Sequence, residues 1–165
     1  MSKISDLDSF VLRALLGNRA LASGAFVVGA AAAAVSSTVT IPYIINGVFY
    51  SKAAVTSQVL TGVTTTGPLV GGGTYVQPAA TTVYYVLSLN AAGTVVVTQG
   101  SYSGQPLGQP AVYGDGSPPD VQDLTLCPVC VIKVVTAGST FTLGTTALTG
   151  ISTFFNIASL PSGLL

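Results

Sequence analysis

The chain has 165 residues, 49% of them hydrophobic and only 6% charged, and its formal net charge is zero, whereas about a quarter of the residues in an ordinary soluble protein are charged. The length is enough for one domain with its own core, and the five scattered Lys and Arg residues exclude a nucleic-acid-binding protein, which needs clustered cations. Zero net charge removes the repulsion that keeps molecules apart, so the composition favours a protein whose surface is partly covered by other subunits.

Residues 5–16 are predicted to form an amphipathic helix. Ser5 can cap its first turn, and Asp6 and Asp8 lie near the positive end of the helix dipole. Apolar residues recur at helical spacing through Ile4, Leu7, Val11 and Leu15. The following Gly17-Asn18 is expected to end or bend this helix.

The stretch over residues 20–50 carries no charge and contains five consecutive alanines. A membrane span or an export signal is disfavoured, because alanine and glycine gain little free energy in hydrocarbon and a long segment with two acidic residues precedes the run. We expect a buried helix or an extended arm instead, so that residues 1–38 form an N-terminal helix and arm. The side chains expected to contact neighbouring subunits are Phe10, Val11, Leu15, Leu16, Phe26, Val27 and Val28.

Residues 39–165 are predicted to be mainly β and to fold as an antiparallel β-sandwich or small barrel. Their β-branched and aromatic residues come in short runs separated by Gly, Asn and Pro. The clearest element is a hairpin over residues 43–50, in which Asn46-Gly47 supplies the two positive φ angles that a two-residue turn needs. Residues 61–79 are expected to form a Thr- and Gly-rich loop.

A second hairpin is predicted to join residues 82–89 to residues 94–99. Both faces of its first strand are rather apolar, which indicates a core on one side and a neighbouring subunit on the other. Four prolines and several glycines predict a long surface loop at about residues 100–124. Further strands are expected over residues 126–135, 141–143 and 151–157.

Catalytic chemistry is not expected of this chain. It contains no histidine and no glutamate, which removes the commonest general bases and the usual pairs that activate a nucleophile. The three aspartates of the predicted loop, Asp115, Asp120 and Asp123, match no calcium-loop spacing and are expected to be solvated. No cofactor and no metal is therefore predicted.

The motif Cys127-Pro128-Val129-Cys130 has the spacing of a redox pair or of half a zinc site. A redox pair of the thioredoxin type opens a helix, whereas the residues that follow here continue as a strand. A zinc site would need two further ligands, and the chain has no other Cys and no His. We expect Cys127 and Cys130 to be two packing side chains or to form a local disulfide.

Three segments carry a recognisable pattern of strands and turns. They are residues 45–53 (INGVFYSKA), residues 84–95 (YYVLSLNAAGTV), and Cys127-Pro128 leading into residues 132–134 and 141–146. In this pattern and its order, residues 41–157 resemble the small structural proteins of tailed-bacteriophage virions, in particular head decoration or cement proteins. The shared motifs are structural rather than catalytic.

The resemblance implies a protein of the virion that is assembled in the host cytoplasm and binds the outer surface of the capsid. Its partner would be the major capsid protein, and it would act as a homo-oligomer, such as a trimer at a local symmetry axis, that reinforces the joints between capsid subunits. No nucleic-acid or membrane partner is expected. Two alternatives stay open: a tail or fibre component, and an exported surface or pilus-like protein cleaved after the alanine run.

Overall fold

The computed structural model describes residues 17–60, 63–65, 76–100, 103–104, 118–119, 121 and 123–158. Every regular element in these ranges is a β strand, so the predicted mainly β fold is confirmed. The helix predicted over residues 5–16 lies outside the described residues, and so does most of the loop predicted at about residues 100–124.

Fourteen strands follow one another through the described ranges. They are β1 (Arg19–Ala20), β2 (Phe26–Val28), β3 (Ala34–Ser37), β4 (Ile41–Ile45), β5 (Val48–Lys52), β6 (Gln58–Val59), β7 (Val63–Thr65), β8 (Val76–Gln77), β9 (Thr81–Leu89), β10 (Val95–Gln99), β11 (Ser103–Gly104), β12 (Cys127–Val135), β13 (Phe141–Thr142) and β14 (Ser152–Asn156). The two longest strands, β9 and β12, have nine residues each.

These strands form one large sheet and three small ones. The large sheet has the order β14-β12-β9-β10-β7, and β11 also pairs with β9. The small sheets have the orders β1-β4-β5, β2-β3-β6 and β13-β8. The pairing of β10 with β7 is parallel, whereas the other pairings among the described strands are antiparallel.

The core lies between one face of the large sheet and the two three-stranded sheets. From the large sheet it receives the alternate residues Val83, Tyr85, Leu87 and Leu89 of β9 together with Ile132 and Val134 of β12. From the small sheets it receives Phe26, Val35, Ile41, Tyr43 and Ile45. Burying one large apolar side chain stabilises a fold by about 1.5–3 kcal/mol, so this shared interior joins the sheets into one body.

Both predicted hairpins are confirmed. In the first, β4 pairs with β5 and the turn residues Asn46 and Gly47 have φ angles of 49° and 77°, as a two-residue hairpin turn requires. In the second, β9 pairs with β10 across residues 90–94. The strands predicted over residues 126–135, 141–143 and 151–157 appear as β12, β13 and β14.

The prediction of a separate arm is wrong for its described part, residues 17–38. This segment forms β1, β2 and β3, and Ala20, Phe26 and Val35 are buried in the common core. The alanine run makes the connection between β2 and β3, where the Ala34 N–H donates to the Ala31 carbonyl oxygen at 2.8 Å. Short apolar runs on either side of a tight connection form a hairpin, because each strand can then place alternate residues inside.

The loop predicted over residues 61–79 is also interrupted by short strands. β7 extends the large sheet by pairing with β10, and β8 pairs with β13. Gln77 of β8 is fully buried, and its Nε2 donates to the carbonyl oxygens of Thr81 (3.1 Å) and Val134 (3.2 Å). Buried polar groups of this kind must find partners, and this one fastens β8 to the ends of β9 and β12.

We predict that three glycine-to-alanine substitutions will distinguish the energetic cost of a positive φ angle from that of a steric clash. Gly144 and Gly150 both have positive φ, but a Cβ at Gly144 would clash with the Leu60 carbonyl oxygen, whereas one at Gly150 would meet nothing within 4 Å. Gly150→Ala should lower the free energy of unfolding by about 1–2 kcal/mol. Gly144→Ala should lower the free energy of unfolding by about 1–3 kcal/mol more than Gly150→Ala does.

Urea unfolding measures all three variants, with Gly138→Ala as the matched control. A Cβ at Gly138 meets nothing within 4 Å and no positive φ opposes it, so its free energy of unfolding should stay within about 0.5 kcal/mol of the parent. Equal losses for Gly144→Ala and Gly150→Ala would contradict the close contact between residue 144 and the Leu60 carbonyl.

Candidate interaction surfaces

Three turns meet at one end of the molecule, which we call the turn end. They are Asn46-Gly47, residues 90–93 and residues 123–126. Asn18 ties the first turn to the third, because its Nδ2 donates to the carbonyl oxygens of Leu124 (2.6 Å) and Leu126 (2.8 Å). The Oδ1 of the same amide accepts a hydrogen bond from the Asn46 N–H at 2.8 Å. One side chain with donors and an acceptor thus connects two loops and the start of the described chain.

The turn between β9 and β10 is fastened to the first hairpin by Tyr43. Its hydroxyl donates to the Asn90 carbonyl oxygen at 2.8 Å, and its ring stacks on Tyr50 at a centroid distance of 5.5 Å. Inside the turn, the Asn90 Oδ1 accepts from the N–H groups of Ala92 (3.0 Å) and Thr94 (2.9 Å). The three turns therefore form one connected surface.

An open pocket of about 420 Å³ lies between these turns. Its described lining consists of Ile45, Asn46, Val48, Tyr50, Asn90, Ala91, Ala92 and Thr125. Next to it, Val48, Phe49 and Leu124 are 52%, 62% and 75% exposed. These residues offer apolar contact and a few hydrogen-bonding groups, which is the chemistry of a protein-binding surface.

Asp123, Lys52 and Arg19, which directly follows Asn18, are charged residues described at the turn end. The Thr125 hydroxyl (2.6 Å) and the Thr125 N–H (2.8 Å) both donate to the Asp123 Oδ1. These hydrogen bonds hold the pKa of Asp123 below its usual value. Lys52 lies beside Gly93, where a Cβ would come within 3.3 Å of its Cδ. The described part of the turn end therefore combines charges of both signs with exposed apolar side chains.

The second candidate surface is on the large sheet and faces away from the core; we call it the β12–β14 face. It consists of Val131, Lys133, Val135, Thr153 and Phe155, since Phe155 stands opposite Val131 and Thr153 opposite Lys133 in the ladder. Val135 and Phe155 are 47% and 50% exposed. The Lys133 ammonium lies 6.0 Å from the centre of the Tyr84 ring, a cation–π contact. Val86 and Ser88 on the second face of β9 are buried, so the face predicted to meet a neighbouring subunit is covered within the chain there, and the exposed apolar residues lie on β12 and β14 instead.

The interaction residues predicted from the sequence fall in three different places. Phe26 is fully buried, and its N–H and carbonyl group bond to the Asn156 side chain at 2.6 and 3.1 Å. It therefore cannot contact a partner, which corrects the prediction. Val28 is half-buried against the core, whereas Val27 is 46% exposed. The remaining four residues, Phe10, Val11, Leu15 and Leu16, lie outside the described residues.

The two cysteines are free thiols, so the predicted local disulfide is absent and the alternative of two packing side chains is correct. A β-bulge lies between Pro128 and Cys130, and it places Cys127 opposite Leu89 and Cys130 opposite Leu87. Both sulfurs therefore enter the core, two rungs apart on one strand, or about 6.8 Å. That separation is at the upper limit for a disulfide, and burial raises the pKa of both thiols to about 12.

Sequence reasoning missed the exposed side chains of Phe49, Leu124 and Phe155. Phe49 stands opposite Ile44 in the predicted hairpin, so the alternation of the strand could have placed it outside. For Phe154 and Phe155 no such signal exists, because the two are adjacent and only the register of β14 against β12 decides which one faces the core.

Comparisons with protein-family models, curated proteins and solved structures give no match. No helix in the described ranges is long and apolar enough to cross a membrane. Within the same ranges, no group of three or more His, Cys, Asp or Glu side chains is placed to hold a metal ion. The function proposed below is therefore based on the two surfaces.

We predict that the buried thiols make the fold less stable at alkaline pH. In the unfolded chain a thiol ionises near pH ~8.5, whereas Cys127 and Cys130 have pKa values of about 12 in the folded protein. Because the folded pKa is raised, the stability that the two protonated thiols contribute is complete below about pH 8.5. This contribution is lost as the pH rises towards 12. Urea unfolding at pH 7 and pH 10 should show the loss, and the variant Cys127→Ala/Cys130→Ala should show a smaller one. An equal loss of stability in the parent and the double variant would contradict the assignment of this effect to the two buried thiols.

Proposed function

We propose that this chain is a head decoration, or cement, subunit of a tailed bacteriophage, which binds the major capsid subunits and reinforces the joints between them. The pattern of residues 41–157 resembles that of small virion structural proteins, and the body is mainly β. Function cannot be taken from such a body alone, so the proposal rests on its surface.

The observation that carries the proposal is a surface rich in apolar side chains and poor in charge. Among the described residues the charged side chains are Arg19, Lys52, Asp123 and Lys133. Nine large hydrophobic side chains in the same ranges are between 42% and 75% exposed. Apolar side chains that are exposed in groups mark contacts with other proteins, and so few charges give little protection against association.

In this proposal the β12–β14 face binds the capsid. It combines an exposed aromatic side chain, Phe155, with the exposed Val135 and the half-buried Val131 on two long paired strands. Aromatic side chains on a rigid scaffold are typical anchors of protein interfaces. Lys133, held beside Tyr84, supplies a cation at the centre of this face that can pair with a carboxylate of the capsid.

The N-terminal segment, residues 1–16, supplies the second contact. It is proposed to form the amphipathic helix predicted from its sequence and to reach neighbouring subunits, so that the chain works as a homo-oligomer. A deletion that tests this segment must end at residue 16, because residues 19–37 form core strands.

We predict that Phe155→Asp will abolish most of the binding to heads. Placing a carboxylate at the centre of an apolar contact forfeits the burial of the ring, about 1.5–3 kcal/mol, which corresponds to at least a tenfold weaker affinity. The measurement is co-sedimentation of the purified full chain with heads assembled from the major capsid protein alone. Val59→Asp is the matched control, since Val59 is 44% exposed on β6 and should bind as the parent does.

Two outcomes would overturn this assignment. Undiminished binding by Phe155→Asp would exclude the β12–β14 face, and absence of binding by the parent chain would exclude the decoration role. Gold-labelled antibodies against the chain then decide between the alternatives, because a tail or fibre component labels only the tail of virions and an exported surface protein labels no virion.

A further inference from the structure

The described part of the chain begins at the turn end. β1 runs antiparallel to β4, with Arg19 opposite Ile44 and Ala20 opposite Tyr43. Going backwards from Ala20 to Arg19 therefore leads along β4 towards the Asn46-Gly47 turn, and the hydrogen bond between Asn18 and Asn46 fixes this direction. Gly17, to which the first sixteen residues are attached, thus lies at the turn end, next to the Leu124 and Leu126 carbonyl groups that Asn18 binds.

β1 enters the domain from the turn end, so residues 1–16 are joined to the described chain there. A helix of about 12 residues is about 18 Å long, which is enough to cross to an adjoining molecule. A segment that is attached next to an apolar surface is placed for exchange between copies.

The chemistry of the segment matches that of the turn end. Its stripe Ile4, Leu7, Val11 and Leu15 repeats at helical spacing, and the turn end offers a pocket flanked by exposed apolar side chains. Lys3, Asp6, Asp8 and Arg13 give the segment no net formal charge. Among its described residues the turn end carries Lys52 and Asp123, with Arg19 directly after Asn18, so charges of both signs on the segment can face opposite charges there.

We propose that residues 4–16 of one copy dock on the turn end of a second copy, with the apolar stripe against Val48, Phe49 and Leu124. Because the segment and its docking surface lie at the same end of the chain, two copies can exchange segments reciprocally and close the assembly. This contact deepens the proposed function by naming how the subunits associate. It is separate from capsid binding, which is assigned to the β12–β14 face.

Cross-linking between two variants that each carry one introduced cysteine tests the contact directly. Full chains carrying Leu15→Cys and Leu124→Cys are mixed and oxidised at pH 8, where the buried native thiols, with pKa values of about 12, stay protonated. The expected product is a disulfide-linked species of twice the 16.5 kDa chain mass. Mass spectrometry of its peptides should identify the link between residues 15 and 124.

The matched control replaces Leu124→Cys with Ser139→Cys. Ser139 is also exposed, but it follows the other end of β12, away from the turn end. This mixture should give at least tenfold less of the corresponding cross-link. Equal yields from both mixtures would overturn the proposal. So would a double variant, Leu15→Cys/Leu124→Cys, that closes its disulfide within one chain while the mixture gives none, since the segment then covers its own turn end.

Sedimentation of full chains provides an independent readout. Val11→Asp/Leu15→Asp places two charges on the apolar stripe and should reduce the sedimenting mass to that of one chain. Ser9→Asp lies on the opposite side of the predicted helix and should leave the mass unchanged. An unchanged mass for the double variant would overturn the exchange of segments, while its co-sedimentation with heads tests the capsid contact separately.

Discussion

The pairing of β9 with β12 is the contact on which the rest of this structure depends. These are the two longest strands, and they lie together in the large sheet with β14 on one side and β10 on the other. The alternate residues of β9, Val83, Tyr85, Leu87 and Leu89, are all fully buried. The buried apolar side chains of the two three-stranded sheets pack against this pair of strands.

The bulge in β12 adjusts that ladder near the turn end. Without it, Cys127 and Cys130 would point to opposite faces, because they are three positions apart on a strand. The extra residue brings both thiols into the core and raises their pKa. β12 begins directly after residues 123–126, where the Leu124 and Leu126 carbonyl groups accept hydrogen bonds from Asn18. The bulge therefore lies close to the turn end.

The strand pattern explains why so much of the surface is apolar. Alternate apolar residues fill the interior, yet the outward positions of the same strands are also apolar at Val135 and Phe155. At the turn end the hairpin tip adds Val48 and Phe49. Self-association at one of these surfaces and capsid binding at the other would remove both from water, which is the physical basis of the proposed function.

Local sequence signals predicted the strands and turns well. Asn46-Gly47 defines a tight turn through its positive φ angles, and the alternation of residues 82–89 defines a two-sided strand. The segment around Phe26 is expected to be a buried helix or an extended arm, because its uncharged, alanine-rich run precedes the change to strand-like periodicity, and only tertiary packing shows that Phe26 fills the core. The bulge at Cys127–Cys130 and the register of β14 depend on partner strands, so no local pattern reveals them.

The central claim is that other protein subunits cover this surface when the protein works. An electron cryo-microscopy map of the virion that carries the chain tests it most directly. We expect copies at regular positions over the outer head lattice, with Phe155 against the major capsid protein and the turn ends of neighbouring copies adjacent. A map in which the chain is found only in the tail, or stands on the head with Phe155 and Phe49 both in solvent, would contradict the claim.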